Sequence, residues 1–328
     1  MLHGGQIPEL RAAFRALARQ ADVVVCAHVY LAPLVQELWQ GPVWYDAHNV
    51  ESDMKAMVLN QPLLEAKEVN ADLAVQAPNL QAFDFVVQCV RLVAAVEARL
   101  VQQAERVWAV SEQDRQRFTA LFGRETERIE LVSNGTHLPQ EPWLDAAQRG
   151  ALKSKSGLGT RPLALLVAGY HGPNLAAVDD VLQLAERCPE WSFVIAGSVC
   201  HYLDGRSLVA NVLSLGIVDE SALRALLCAA DVGLNPMRSG SGTNLKMLDY
   251  AGHGLLIVST PVGARGMAFR ADTHYLEREV KDFASTLHTL ASQCPSPLPE
   301  MRSAARALAE KTYAWEVIAA DLKPQQMD

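Results

Sequence analysis

The stretch richest in chemistry is Arg238-Ser-Gly-Ser-Gly-Thr-Asn-Leu-Lys-Met-Leu-Asp-Tyr250, between an apolar run ending near Asn235-Pro236 and a helical run that Gly252 and Gly254 stop. Strand, glycine-rich loop and helix, in that order, form an anion site. Gly240 and Gly242 let backbone come close to a phosphate, while the free N–H groups and the positive end of the helix dipole point at it. Lys246 adds a full positive charge. A helix beginning near Thr243 puts Asp249 about six residues further on, roughly 9 Å at 1.5 Å per residue. A carboxylate there reaches ribose hydroxyls while the helix start holds a diphosphate. Glycines before helices are common, and a helix aspartate facing solvent needs no ligand, so the loop alone leaves both readings open.

Other candidates sit at the ends of apolar runs. His48 follows one of them in Asp46-Ala-His-Asn-Val-Glu51, and Glu51 is a second polar group suited to holding an acceptor or a sugar. His171 lies on the loop after the first strand of the second half, where ligands of open α/β sheets gather. His28 follows the run that ends at Ala27; a histidine at such a position is equally well a surface or satisfied cleft residue. Arg265, in Thr260-Pro-Val-Gly-Ala-Arg-Gly266, is placed to meet a phosphate or a sugar hydroxyl, or to form a surface ion pair.

The elements that must position these residues alternate. Ile7 to Gln20 has helical spacing, and Asp22-Val-Val-Val-Cys-Ala27 is a short apolar run of the buried parallel-strand type. Tyr30 to Gln40 is a helix and Pro42 to Asp46 a strand, which implies right-handed βαβ crossovers. The pattern from Asn60 to Gln103 is long and helical, and Arg106 to Val110 is a strand. Ser111 caps a helix that Gly123 stops, and Ile129 to Val132 runs into a Ser133-Asn134-Gly135 turn. Pro139 to Pro162 then holds three prolines, three glycines and little apolar periodicity, which marks a connection between domains. Beyond it, strands at Leu163 to Ala168, Ser192 to Ala196, Val212 to Leu215, Asp231 to Asn235 and Leu255 to Ser259 alternate with helices as in a doubly wound sheet. Helical segments from Glu279 to Gln293 and Pro299 to Glu310 follow, and Tyr313 to Ile318 closes the chain.

Bulk properties bound the function. A chain of 328 residues is more than one core usually holds, so two domains are expected. With 29 Lys and Arg against 37 Asp and Glu, the net charge of -8 opposes a general electrostatic grip on nucleic acid, and any anionic ligand is held locally. The six cysteines are scattered, with no CxxC pair and no zinc-ligand spacing, as in a reducing compartment. No run of about 18 apolar residues is present, and Met1-Leu-His-Gly-Gly5 lacks the features of a signal peptide. A soluble cytoplasmic protein is expected, with peripheral membrane contact left open as an alternative that its charge does not support.

Several blocks together resemble the family 4 retaining glycosyltransferases of the GT-B fold. Asp22-Val-Val-Val and Val43-Trp-Tyr-Asp-Ala-His-Asn-Val-Glu51 resemble the closing strands of the family's acceptor domain, Trp108-Ala-Val-Ser-Glu-Gln-Asp114 its next strand and helix, and Val132-Ser-Asn-Gly135 its turn before the linker. Gly169-Tyr-His-Gly-Pro-Asn174, Phe193-Val-Ile-Ala-Gly-Ser198, Leu215-Gly-Ile-Val-Asp-Glu220 and Ala230-Asp-Val-Gly-Leu-Asn-Pro236 resemble its donor domain. The resemblance implies an α/β chain of two Rossmann-like doubly wound domains facing a cleft: an incomplete acceptor-side domain over 1–138, a linker over 139–162 and a nucleotide-sugar domain over 163–328. It implies transfer of a sugar, with retention, from a nucleotide diphosphate sugar to the hydroxyl of a glycan or lipid-linked glycan, in cell-envelope polysaccharide synthesis.

The resemblance also implies residue roles: His48, Lys246 and Asp249 catalytic; Gly169, His171, Gly197, Gly240, Ser241, Gly242, Thr243, Asn244, Lys246, Asp249 and Arg265 holding the donor; Glu51 on the acceptor side. The family's loop has two glutamates separated by seven residues, where this chain has Ser241 and Asp249. Many relatives with a similar loop lack the first acid. No cofactor or metal is expected, since helix start, loop amides and Lys246 stabilise the departing diphosphate. The family's acceptor domain normally opens with further βα units before the part matched at Ile7, so a truncated start, or a partner chain completing the domain, is an expectation too. The rival readings are a nucleotide-sugar epimerase of the same fold and a non-catalytic, partner-dependent nucleotide-sugar-binding module. A dehydrogenase lacks its GxGxxG turn.

Overall fold

The computed structural model describes residues 7–60, 82–139, 144–292 and 298–322. The chain divides into two compact units, Met1–Ser133 with Ser241–Thr243, and Asn134–Gly240 with Asn244–Asp328.

The first unit carries four parallel strands in sequential order, β1 (Val24–Cys26), β2 (Val43–Ala47), β3 (Arg106–Ala109) and β4 (Glu130–Leu131). Its helices are α1 (Pro8–Ala18), α2 (Ala32–Leu38), α3 (Glu51–Val58), α4 (Ala82–Gln103) and α5 (Glu112–Phe122). Tyr45, Val107, Leu100 and Phe118 sit at the centre of its core. Ser111 caps α5 by accepting the Asp114 N–H at 3.0 Å, and Gly123 ends it at φ 72°. The helical reading from Asn60 onward is corrected at its start: α3 stops at Val58, and Asn60 has φ 52°. Residues 61–81 of that reading lie outside the described residues.

The second unit carries six parallel strands, β5 (Leu163–Val167), β6 (Ser192–Ala196), β7 (Val212–Ser214), β8 (Val232–Asn235), β9 (Leu256–Ser259) and β10 (Leu276–Glu277), in the order β10-β9-β8-β5-β6-β7. Counted from β5, this is the doubly wound order 3-2-1-4-5-6, whose direction of winding reverses between β5 and β8. The central strands β5, β6, β8 and β9 are largely apolar and buried because helices cover both faces. Those helices are α6 (Ala146–Lys155), α7 (Gly172–Arg187), α8 (Glu220–Ala229), α9 (Leu245–Gly252), the short α10 (Pro261–Ala264), α11 (Phe283–Ser292), α12 (Leu298–Thr312) and α13 (Trp315–Asp321).

Within the connection at 139–162, helix α6 forms. Asp145 and Gln148 close a reciprocal capping box at its start. The helix escaped the apolar pattern because its buried face is charged. Arg149 and Lys153, one turn apart, meet Asp231 at 3.3 and 2.6 Å, and Asp231 also accepts the Leu163 N–H at 2.8 Å. The two-residue β10 was too short to read.

Candidate functional site

In an open α/β sheet the loops after the two strands flanking the reversal diverge and leave a crevice beyond their carboxyl ends. In the second unit those loops follow β5 and β8, and they carry most of the residues singled out from sequence. After β5, Ala168-Gly169-Tyr170 leads into α7, with His171 as the residue before its first turn. Asn174 donates from Nδ2 to the Gly169 carbonyl at 3.0 Å, and the Tyr170 N–H donates to Ser198 Oγ at 2.9 Å. Gly197 crosses beside Ala168 so closely that a Cβ there would stand 2.2 Å from the Ala168 carbonyl oxygen. Gly169, His171 and Gly197 are thus brought together.

After β8, Pro236 to Asn244 forms the glycine-rich loop. Arg238 anchors its start through paired bonds of 2.8 and 2.6 Å to the buried Asp180 on α7. Gly240 has φ 140°, a conformation closed to most side chains, and a Cβ there would lie 3.2 Å from the Arg265 guanidinium. Ser241, Gly242 and Thr243, the middle of the loop, are the three residues grouped with the first unit. Helix α9 begins at Leu245, not near Thr243, with Asn244 preceding it and donating its side-chain amide to the Gly263 carbonyl at 2.9 Å. The distance from helix start to Asp249 is therefore four residues, roughly 6 Å along the axis.

Lys246, in the first turn of α9, is a buried cation beside this loop. Only 9% of the residue is exposed, and its ammonium donates to Asn174 Oδ1 at 3.2 Å and approaches Met237 Sδ at 3.7 Å. Burial, then the nearby charge of Arg265, lowers its pKa to about 8. Lys246 and Arg265 thus put two positive charges near one another beside the glycine-rich loop.

Asp249 faces a different part of the second unit. Its Oδ1 accepts the Thr136 hydroxyl at 2.8 Å. Burial raises its pKa, against the Thr136 hydrogen bond and the charge of His253. It lines a cavity of about 300 Å³ with Gly135, Thr136, Arg224 and His253. Thr136 is fixed by the end of the chain, its N–H donating to the Tyr313 carbonyl at 2.8 Å. Thr136 was missed from sequence because its partner lies 113 residues away.

In the first unit, His48 follows β2 and its Nε2 lies 3.4 Å from Asp46 Oδ2. The hydrogen bond to Asp46 raises its pKa above the ordinary histidine value, despite partial burial. Glu51 opens α3 and is buried; Oε1 lies 3.0 Å from His28 Nδ1, and Oε2 accepts the Tyr30 hydroxyl at 3.2 Å. Glu97 on α4 is fully buried and accepts the N–H groups of Glu51 and Ser52 at 2.8 and 2.9 Å and the Tyr45 hydroxyl at 3.0 Å. Sequence reasoning passed over Glu97, since one glutamate on an amphipathic helix resembles any solvated charge.

Two further features hold none of the catalytic or donor-binding residues expected from sequence. A cavity of about 790 Å³ lies between α7 and the loops after β8 and β9, lined by Asp180, Arg187, Arg238 and Lys281. Cys188, Glu190 and His288 bring ligand atoms within 4.8 Å of one another, a grouping the linear spacing of cysteines did not reveal. There the carboxylate is engaged with His288 Nδ1 at 2.7 Å and burial pushes the thiol up to about 11.

Comparison with known proteins bears on both units. Residues 3–135 match the family model described as glycosyl transferase 4-like domain, and residues 161–293 match that described as glycosyl transferases group 1. The D-inositol 3-phosphate glycosyltransferase of Mycobacterium tuberculosis is 25% identical over 234 residues, 67% of this chain and 48% of that protein. The chain thus spans about half the length of the curated relatives it matches. Among solved structures, Anabaena HepE in complex with UDP and glucose superposes with a TM-score of 0.71 at 13% identity, over 97% of this chain and 81% of that one. Sucrose-phosphate synthase from Thermosynechococcus elongatus gives 0.71 at 15% identity, over 96% and 76%. The chain has two parallel-sheet α/β units, each matched over its own span by a glycosyltransferase family model, and its fold matches that of GT-B glycosyltransferase structures.

Proposed function

We propose that this chain transfers a sugar from a nucleotide diphosphate sugar to an acceptor hydroxyl with retention at the anomeric carbon, in the synthesis of a cell-envelope polysaccharide or glycan. The observation that carries the proposal is the meeting of the Gly169 and Gly240 loops at the reversal of the second sheet, with Lys246 and Arg265 beside them. In this reading the loop amides, the start of α9 and the two cations hold the diphosphate, and Asp249 in its cavity takes the ribose. As the acceptor oxygen bonds to the anomeric carbon, the bond to the diphosphate breaks and the hydroxyl proton leaves with it. Charge builds on the departing phosphate, and preorganised cations stabilise it without a metal. His48 is, in this reading, a sugar-binding residue of the first unit.

HepE was solved with UDP and glucose, which makes UDP-glucose the first donor to try. The experiment is product analysis: the purified chain, a panel of UDP-, GDP- and ADP-sugars and candidate saccharide acceptors, with NMR of the product's anomeric signal. Release of nucleoside diphosphate with a product of the donor's configuration supports retaining transfer. A product of inverted configuration refutes retention. Ser241 stands where the family's loop pattern has its first glutamate, and nucleotide-sugar binding without turnover would favour a binding module whose chemistry is done by another chain.

A further inference from the structure

A transferase needs groups in its first unit that meet sugar hydroxyls, and Glu51 is poorly placed to be one. The residue is 1% exposed, and both carboxylate oxygens already have partners in His28 and Tyr30. His28 keeps 53% of its side chain exposed. Resting on the function proposed above, we propose that His28 is the residue that receives a sugar hydroxyl, with Glu51 as its positioning residue and Glu97 as the anchor of Glu51.

The chemistry follows from which ring nitrogen is engaged. A neutral imidazole has one donor and one acceptor nitrogen, and the hydrogen bond at one fixes the role of the other. The Glu51 carboxylate, 3.0 Å from Nδ1, holds the proton there, which leaves the Nε2 lone pair to accept a hydroxyl. His48, its ring centre 5.2 Å from that of His28, is engaged through Nε2 by Asp46 and so offers Nδ1. The two rings together offer two acceptor atoms, suited to two hydroxyls of one sugar. Glu97 makes this arrangement stiff. By accepting the backbone N–H groups of Glu51 and Ser52 it fixes the first turn of α3, and with it the origin of the Glu51 side chain.

The hydroxyl belongs either to the donor's sugar or to the acceptor's, and one set of titrations separates them. UDP, UDP-glucose, GDP, GDP-mannose and methyl α-glucoside are titrated by calorimetry into wild type, His28→Ala and Glu51→Gln, and imidazole nitrogen NMR reports on His28. We expect Nδ1 to carry the His28 proton in wild type, and the free nucleoside diphosphate to bind all three proteins alike. If the hydroxyl is the donor's, the matching nucleotide sugar binds His28→Ala about tenfold more weakly, the scale of one hydrogen bond, and Glu51→Gln follows in the same direction. If it is the acceptor's, only the saccharide moves the His28 Nε2 signal. Unaltered nucleotide-sugar affinity in His28→Ala, with no saccharide-induced shift, overturns the role of His28 alone. Failure of wild type to bind any nucleotide sinks the donor reading, and this inference with it.

Discussion

Thr136 donates its hydroxyl to Oδ1 of Asp249 at 2.8 Å, joining the start of the second unit to the middle of α9. The bond leaves Asp249 fixed at the wall of a cavity of about 300 Å³, a geometry that suits a carboxylate accepting the hydroxyls of a ribose. Thr136→Val removes the bond and keeps the volume. It is expected to weaken nucleotide binding by about tenfold while leaving the fold intact, measured by calorimetry with the nucleoside diphosphate that wild type prefers. Unchanged affinity would show that Asp249 needs no such orientation.

Lys246 should make nucleotide binding sensitive to alkali. Its pKa is lowered to about 8, so the free protein loses this charge as pH rises through that value, and diphosphate affinity should fall by about tenfold per pH unit above it. The effect on stability has the opposite sign. Below about 8 the folded protein holds a charge that burial disfavours; that penalty is relieved between about 8 and the ordinary value of 10.5. Lys246→Met should therefore melt no lower than wild type at pH 7 and bind diphosphate at least about tenfold more weakly, as expected where a functional group is held at the expense of stability.

Glu97 predicts a stability profile. Burial, opposed by hydrogen bonds from Ser52, Glu51 and Tyr45, raises its pKa to about 7 from 4.5. A carboxyl whose folded pKa is raised contributes stability fully below the unfolded value, and that contribution is lost as pH rises through the folded value. Glu97→Gln cannot titrate, so the stability difference between wild type and variant should shrink from about pH 4.5 to about 7, followed by urea unfolding. A difference that stays flat across that window would show that Glu97 does not change charge there.

Asp46 should set the charge of His48. The imidazole pKa is raised chiefly by its hydrogen bond to Asp46. In Asp46→Asn the His48 titration followed by NMR should move to lower pH, and an unmoved midpoint would assign the shift to another group.

Asp231 holds α6 to the sheet. Arg149, Lys153 and the Leu163 N–H all meet its carboxylate, and both cations are buried. Removing one partner of a buried ionic group strands the others, so Asp231→Ala should cost about 3 kcal/mol in unfolding free energy. A cost under about 1 kcal/mol would mean that the group is solvated.

These residues also mark how far a sequence carries. Strands β5 to β9 of the second unit were legible because each is a largely apolar run closed by turn residues, and the loop at 236–244 declared itself by its glycines. Helix α6 was hidden by Arg149 and Lys153, whose burial depends on a carboxylate about 80 residues away. Thr136 and Glu97 were missed for the same reason: their roles come from partners that only the folded chain brings near. Glu51 was legible as a residue of interest, but its burial and its grip on His28 were not.

The most direct test of the donor site is calorimetry of the purified chain against UDP, GDP, ADP and their sugars, with Asp249→Ala and Lys246→Met alongside. The account predicts saturable binding of one nucleotide family by wild type, weakened at least about tenfold in both variants while each remains folded. A folded wild-type protein that binds none of them, or variants that bind as well as wild type, would contradict it.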